Sequence, residues 1–160
     1  MTKSWTLPIV VAGLAALGVA FLGATITDLG PWYQALEKPA WNPPDPVFGI
    51  VWTIVFTLTA IAAVSTWRAA PNTRVSDTII GLFALNGFLN IVWSLIFFRM
   101  QRPDWAFAEL LLLWLSVGAL ILFCSRYSRL AGLALVPYLV WVTIAGALNW
   151  QVIELNGPFG

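Results

Sequence analysis

The chain has 160 residues, of which 60% are hydrophobic and only 9% charged, with a mean hydropathy of +0.85. A soluble domain usually carries roughly a quarter charged residues, so this surface faces lipid rather than water. The net charge of +1 offers no field for nucleic acid, the single Cys124 excludes an intrachain disulfide framework, and the lack of histidine removes the usual general base, metal ligand and haem axial ligand.

A hydrocarbon core about 30 Å thick needs roughly 20 apolar residues in a helix. Runs of that kind occupy residues 7–27, 47–67, 78–98, 105–124 and 130–153. They are continuous, whereas the strands of a membrane barrel are alternating segments of about ten residues. The expected fold is therefore all-α and integral to the membrane: one domain over 1–160, a bundle of five transmembrane helices. The first run, from Ser4 to Thr27, is longer than the apolar core of about 7–15 residues in a signal peptide and reads as a retained span. Ala16, Ala20 and Ala24 recur every four residues along it and suit close helix packing, within the bundle or between subunits.

Residues 28–45 form the one long connection, against a usual length of about 4–6 residues. Trp32, Tyr33, Leu36 and Trp41 are too apolar to leave in water, and Pro31, Pro39, Pro43, Pro44 and Pro46 restrict the backbone. Two readings stand: an interfacial aromatic belt, or an ordered lid over one mouth of the bundle, with one or two helical turns in PWYQAL.

Asp45 before Pro46 reads as the N-cap of the second span, Ser76-Asp77 as the start of the third and Pro103-Asp104 as the start of the fourth. Glu109 is the one charge inside a span and is expected to pair with Arg99 or Arg102 in the adjacent loop. A proton relay needs further intramembrane titratable groups, which the spans lack. Pro137 should kink the fifth span and free a carbonyl near Leu133. No internal repeat divides the five spans into an inverted pair, which counts against the common secondary-transporter plan. Lys3, Arg68, Arg74, Arg126 and Arg129 fall on the side of the amino terminus, against Lys38, Arg99 and Arg102 opposite, a bias toward a cytoplasmic amino terminus.

Helix direction brings polar and indole groups together at the end nearest the lid. At 1.5 Å per residue Trp52 lies roughly 8 Å inside its span, with Trp93 and Asn149 at similar depth, Asn90 deeper and Asn86 near the midplane. Asn86, Asn90 and Ser94 share one stripe of the third span, and Tyr138, Trp141, Ala145 and Asn149 one face of the fifth. Such amides turn inward, either to hydrogen-bond between helices or to line a ligand pocket. The lid, amides and indoles on one side favour the pocket.

Trp32-Tyr33, Leu36, Lys38-Pro39, Trp41 and Pro43-Pro44, a W-Y-x-x-L-x-K-P-x-W-x-P-P pattern, resemble the translocator protein family, also called tryptophan-rich sensory proteins or peripheral-type benzodiazepine receptors. The likeness continues through Val136-Pro137-Tyr138, Trp141 and Leu148-Asn149, in a chain with ten tryptophans. It implies a five-helix bundle, often a homodimer, in a bacterial cell membrane, with a pocket closed by the first loop. It also implies binding of porphyrins such as protoporphyrin IX, of isoquinoline carboxamide and benzodiazepine drugs and, in some members, of cholesterol. By the same resemblance Trp52 and Trp141 match pocket tryptophans linked to light-driven porphyrin breakdown, Tyr33 matches a lid tyrosine, and Asn90 and Asn149 match pocket-side amides. The family's sterol motif needs a tyrosine followed by a base. Here the stretch reads LNWQVIEL, with Trp150 and Gln151 in the tyrosine region and Glu154 in place of the base, which counts against cholesterol.

The candidate ligand-binding residues are thus Trp32, Tyr33, Trp41, Trp52, Asn86, Asn90, Trp93, Tyr138, Trp141, Ala145 and Asn149. Indole faces suit a planar ligand, indole N–H groups can donate to a carbonyl or carboxylate, and Lys38, Arg99 or Arg102 at the rim can pair with propionates. Porphyrin is expected as a ligand held through macrocycle and propionates; no cofactor or metal is required. Three functional readings follow: a membrane receptor or sensor of tetrapyrroles and similar ligands; a light-dependent porphyrin-degrading enzyme in which Trp52 or Trp141 is oxidised; and a porphyrin or sterol transporter.

Overall fold

The computed structural model describes residues 4–160; Lys3, one of the charges weighed for orientation, lies outside the described residues. Helix α1 spans Thr6–Ile26, the short α2 Pro31–Ala35, α3 Asp45–Ala69, α4 Thr73–Ser94, α5 Pro103–Ser125 and α6 Arg129–Asn156, and a π-helical turn, Leu95–Arg99, continues α4. All but α2 are long and apolar enough to cross a membrane. The protein is an all-α, multi-pass membrane bundle of five spanning helices.

Helices α3, α5 and α6 begin and end beyond the apolar runs because their first and last turns carry polar residues of the membrane interface. Two start signals differ from expectation. Asp45 is not the N-cap of α3 but its first helical residue, behind Pro44, and caps nothing through its side chain; it still places negative charge against the helix N-terminus. Helix α4 starts at Thr73 rather than at Ser76-Asp77, because Asn72 Oδ1 accepts the Val75 N–H at 3.0 Å. Ser76 is buried one turn further in and donates back to the Asn72 carbonyl. Ser128 caps α6 by accepting the Ala131 N–H at 3.2 Å, and α6 runs on through Pro137 to Asn156.

The helices close a ring in the order α1, α3, α6, α5, α4, with α5 against α6 the most extensive pair. Gly146 permits that closeness: a Cβ there would lie 3.0 Å from Leu110 Cδ2. The main core comes from α3, α5 and α6, through Val55, Ala62, Leu113, Val117, Leu120, Leu135 and Val142. A second cluster sits under the lid, where Tyr33 and Leu36 meet Phe97, Phe98, Ala106 and Val152. Helix α1 contributes no buried residue. It leans on the rest of the bundle instead of joining its core, and that leaves room inside.

Candidate functional site

The lid is ordered by its own chemistry. Asp28 Oδ1 accepts the Gly30 N–H at 2.9 Å, and a Cβ on Gly30 would lie 2.8 Å from that oxygen, so a larger residue there would push the Asp28 side chain aside. Pro31 then opens α2 in its preferred first helical position. Lys38 Nζ donates to the carbonyls of Tyr33 and Leu36 at 2.7 and 3.2 Å and sits 4.3 Å over the Tyr33 ring, which ties the end of α2 to the proline-rich segment. The Tyr33 ring packs 5.8 Å from Phe98 and Trp32 packs 5.9 Å from Phe97. Burial, and to a lesser degree the Asp45 carboxylate, raises the Tyr33 phenol above its ordinary value.

Under the lid lies a cavity of about 1090 Å³ bounded by the lid, α1, α3, α4, α5 and α6. Tyr33, Lys38 and Asn42 form its roof; Phe48 and Trp52 of α3, Asn90 and Trp93 of α4, Leu110 of α5, and Trp141, Ala145 and Asn149 of α6 form its walls. The Trp52 ring stacks on Phe56 at 5.2 Å and meets Tyr138 edge-on at 6.1 Å, while Trp141 meets Phe48 edge-on at 5.5 Å. The Trp141 indole N–H is buried and has no hydrogen-bond partner. An orphaned donor in a cavity wall is costly unless something completes it.

The amides serve both readings at once. Asn90 lines the cavity and donates to the Tyr138 hydroxyl at 3.1 Å, joining α4 to α6. Asn149 accepts from Trp93 Nε1 at 3.1 Å and donates to the Pro103 carbonyl at 2.8 Å, joining α6 to α4 and to the start of α5. These bonds hold the wall side chains in fixed orientations.

Of the residues singled out in the sequence, Tyr33, Trp52, Asn90, Trp93, Trp141, Ala145 and Asn149 converge on the cavity. Four do not. Asn86 turns to α5, donating to Ser116 Oγ at 2.9 Å, because the α4 stripe drifts round the helix. Tyr138 is 1% exposed and stands behind Trp52. Trp32 packs edge-on against Phe97, beside a smaller cavity of about 220 Å³, and Trp41 is half exposed, as expected of an interfacial tryptophan. The pairing expected for Glu109 is also absent. Arg102 binds Asp104 at 2.8 and 2.5 Å, Arg99 donates to the Thr25 carbonyl at 2.7 Å, and both Glu109 oxygens are buried without a partner. Asp104 lies two residues from Arg102, whereas Glu109 is carried inward by the next turn of α5. Nor do Arg99 and Arg102 reach the roof; Lys38 is the rim cation that lines the cavity.

Two contributors escaped sequence reasoning. The π-helical turn places Phe97 and Phe98 side by side under the lid, with Phe97 stacked on Trp93 at 5.0 Å, and Gln101 at a φ of 54° closes it. No residue in LIFFR announces it. Ala16, Ala20 and Ala24 line the cavity; a small-residue repeat reads equally as a packing seam, and only the position of α1 distinguishes the two.

Residues 9–155 match the sequence profile of the TspO/MBR family. The chain belongs to the TspO/MBR family. It is 39% identical to the tryptophan-rich protein TspO of Chlorobaculum tepidum over 88% of this chain and 90% of that protein. It is 33% identical to the tryptophan-rich sensory protein of Cereibacter sphaeroides over 98% and 95%, and 32% identical to the human translocator protein over 78% and 75%. The TspO/MBR match thus extends over all five spanning helices and the lid between the first two.

Proposed function

We propose that this TspO/MBR protein is a membrane receptor or sensor that takes up porphyrins and similar flat, hydrophobic ligands beneath the lid. The orphaned Trp141 N–H in a wall that also presents aromatic rings carries the reading: the site offers stacking faces together with a buried, unpartnered donor, which a carboxylate or carbonyl on the ligand would accept. Lys38 at the roof supplies a cation for an acidic substituent such as a propionate. Pockets for drug-sized ligands enclose about 300–1,000 Å³, so a cavity of about 1090 Å³ also suits isoquinoline carboxamide or benzodiazepine ligands. On this reading protoporphyrin IX is a ligand, no cofactor is required, and the working unit is a homodimer in a bacterial cell membrane with its amino terminus in the cytoplasm. Tryptophan fluorescence of the protein in nanodiscs, titrated with protoporphyrin IX, tests it. Saturable quenching that is lost in the Trp52→Ala, Trp141→Ala double variant is expected; quenching that persists unchanged there would remove the pocket from the account.

A second reading, transport, draws on the extent of the cavity. Its lining continues along α1 from Thr27 at the lid to Trp5 at the opposite end, faced by Thr57, Ile61 and Ser65 of α3. A ligand could pass along that seam. Flux of porphyrin into proteoliposomes above that of empty vesicles tests it, and equal flux rejects it.

A further inference from the structure

Glu37 and Asn156 are far apart in sequence, yet the backbone of one is bracketed by the side chain of the other. Asn156 Oδ1 accepts the Glu37 N–H at 2.8 Å, and Asn156 Nδ2 donates to the Glu37 carbonyl at 2.9 Å. The same Nδ2 also donates to the Val152 carbonyl at 2.8 Å, one turn back along α6. An asparagine amide has two N–H groups, so both are engaged, and the bond to Val152 fixes the plane in which the other two are made. Immediately below, Leu36 and Val152 belong to one buried cluster, which sets the lid and the helix at the distance the amide spans.

Elsewhere the side-chain hydrogen bonds of the lid are local. Asp28, Gln34, Lys38 and Asn42 all bond within residues 28–43. Among the described residues, the hydrogen bonds between the middle of the lid and a spanning helix are the two made by Asn156. Tyr33 and Lys38 of the roof lie on the same short segment as Glu37. We infer that Asn156 is a positioning residue for the binding site, a latch that holds the roof over the cavity and sets how often the lid opens. Because the latch grips backbone, the Glu37 side chain is dispensable to it.

Hydrogen exchange of the full chain in nanodiscs, without ligand, is the direct test. In Asn156→Ala, exchange across residues 33–42 rises about tenfold, the scale of two net hydrogen bonds, while the α5–α6 core is unmoved. Glu37→Ala, corrected for its intrinsic exchange rate, stays at the level of the unmodified protein. Unchanged lid exchange in Asn156→Ala, a parallel rise in the core, or an equal rise in Glu37→Ala would each overturn the latch. A stopped-flow arm rests on the reading under Proposed function: protoporphyrin IX dissociates and associates faster in Asn156→Ala by a similar factor, with little change in Kd. If lid exchange responds but no porphyrin binds even the unmodified protein, the latch holds and the ligand reading fails. If porphyrin binds with unaltered rates in Asn156→Ala, the latch does not govern access and the inference falls.

Discussion

The indole planes of Trp52 and Trp141 cross at 88° with their centres 6.3 Å apart, so α3 and α6 present two mutually perpendicular aromatic faces to one cavity. The two rings have different duties. Trp52 also stacks on Phe56, whereas Trp141 keeps a buried, unpartnered N–H. Trp141→Phe retains the ring and deletes the donor, so affinity for a ligand with a carbonyl or carboxylate should fall about three- to tenfold while protein stability stays level or rises. Fluorescence titration beside a thermal melt in the same detergent checks both halves. A fall in stability equal to that in affinity would mean the N–H is used by the protein itself.

Asn149 ties three helices together, and its loss leaves the Trp93 indole and the Pro103 carbonyl without their partner. Asn149→Leu should cost about 1–3 kcal/mol. Asn86→Ala removes the interhelical bond to Ser116, a class of contact worth about 0.6 kcal/mol on average. Reversible unfolding in mixed micelles ranks the two, and a reversed order would contradict the network.

Helix α1 has no buried residue, so its inner small side chains can be enlarged without disturbing a packed core. Ala20→Leu and Ala24→Leu should shrink the cavity and weaken ligand binding about tenfold or more, with melting temperatures nearly unchanged. A large loss of stability would place those alanines in a tight seam.

Glu109 has both oxygens buried and unpartnered. Replacing an unsatisfied buried polar group by an apolar one of similar size relieves a desolvation cost. Glu109→Met is expected to raise stability by about 1 kcal/mol or more, read as a higher melting temperature. A drop would show that the carboxyl group has a structural partner.

Tyr33 carries the pH dependence of the lid. Its phenol is raised from an ordinary value of 10.0, so the closed lid holds the proton more tightly than the open one. The neutral ring's contribution is therefore complete below about pH 10 and is lost as pH rises through the higher folded value. Lid hydrogen exchange, corrected for intrinsic rates, should increase above that point in the unmodified protein and not in Tyr33→Phe. An identical alkaline response in both would assign the titration elsewhere.

The membrane bundle is legible in hydropathy alone, because a helix of given length in hydrocarbon has few alternatives once its backbone must satisfy its own hydrogen bonds. Chain direction then sorts the indoles and amides to the lid end, so Trp52, Asn90, Trp93, Trp141 and Asn149 could be grouped before any coordinates. Rotation about each helix axis was not available in this way. A turn of a few tens of degrees separates Asn90 on the cavity wall from Asn86 at α5, and places Tyr138 behind Trp52. Such rotations follow from packing against neighbours, as do the loose seat of α1 that opens the cavity, the π-helical turn beneath the lid and the reach of Asn156 to Glu37. Period and polarity specify which residues leave the lipid; only the assembled bundle decides which of them face one another.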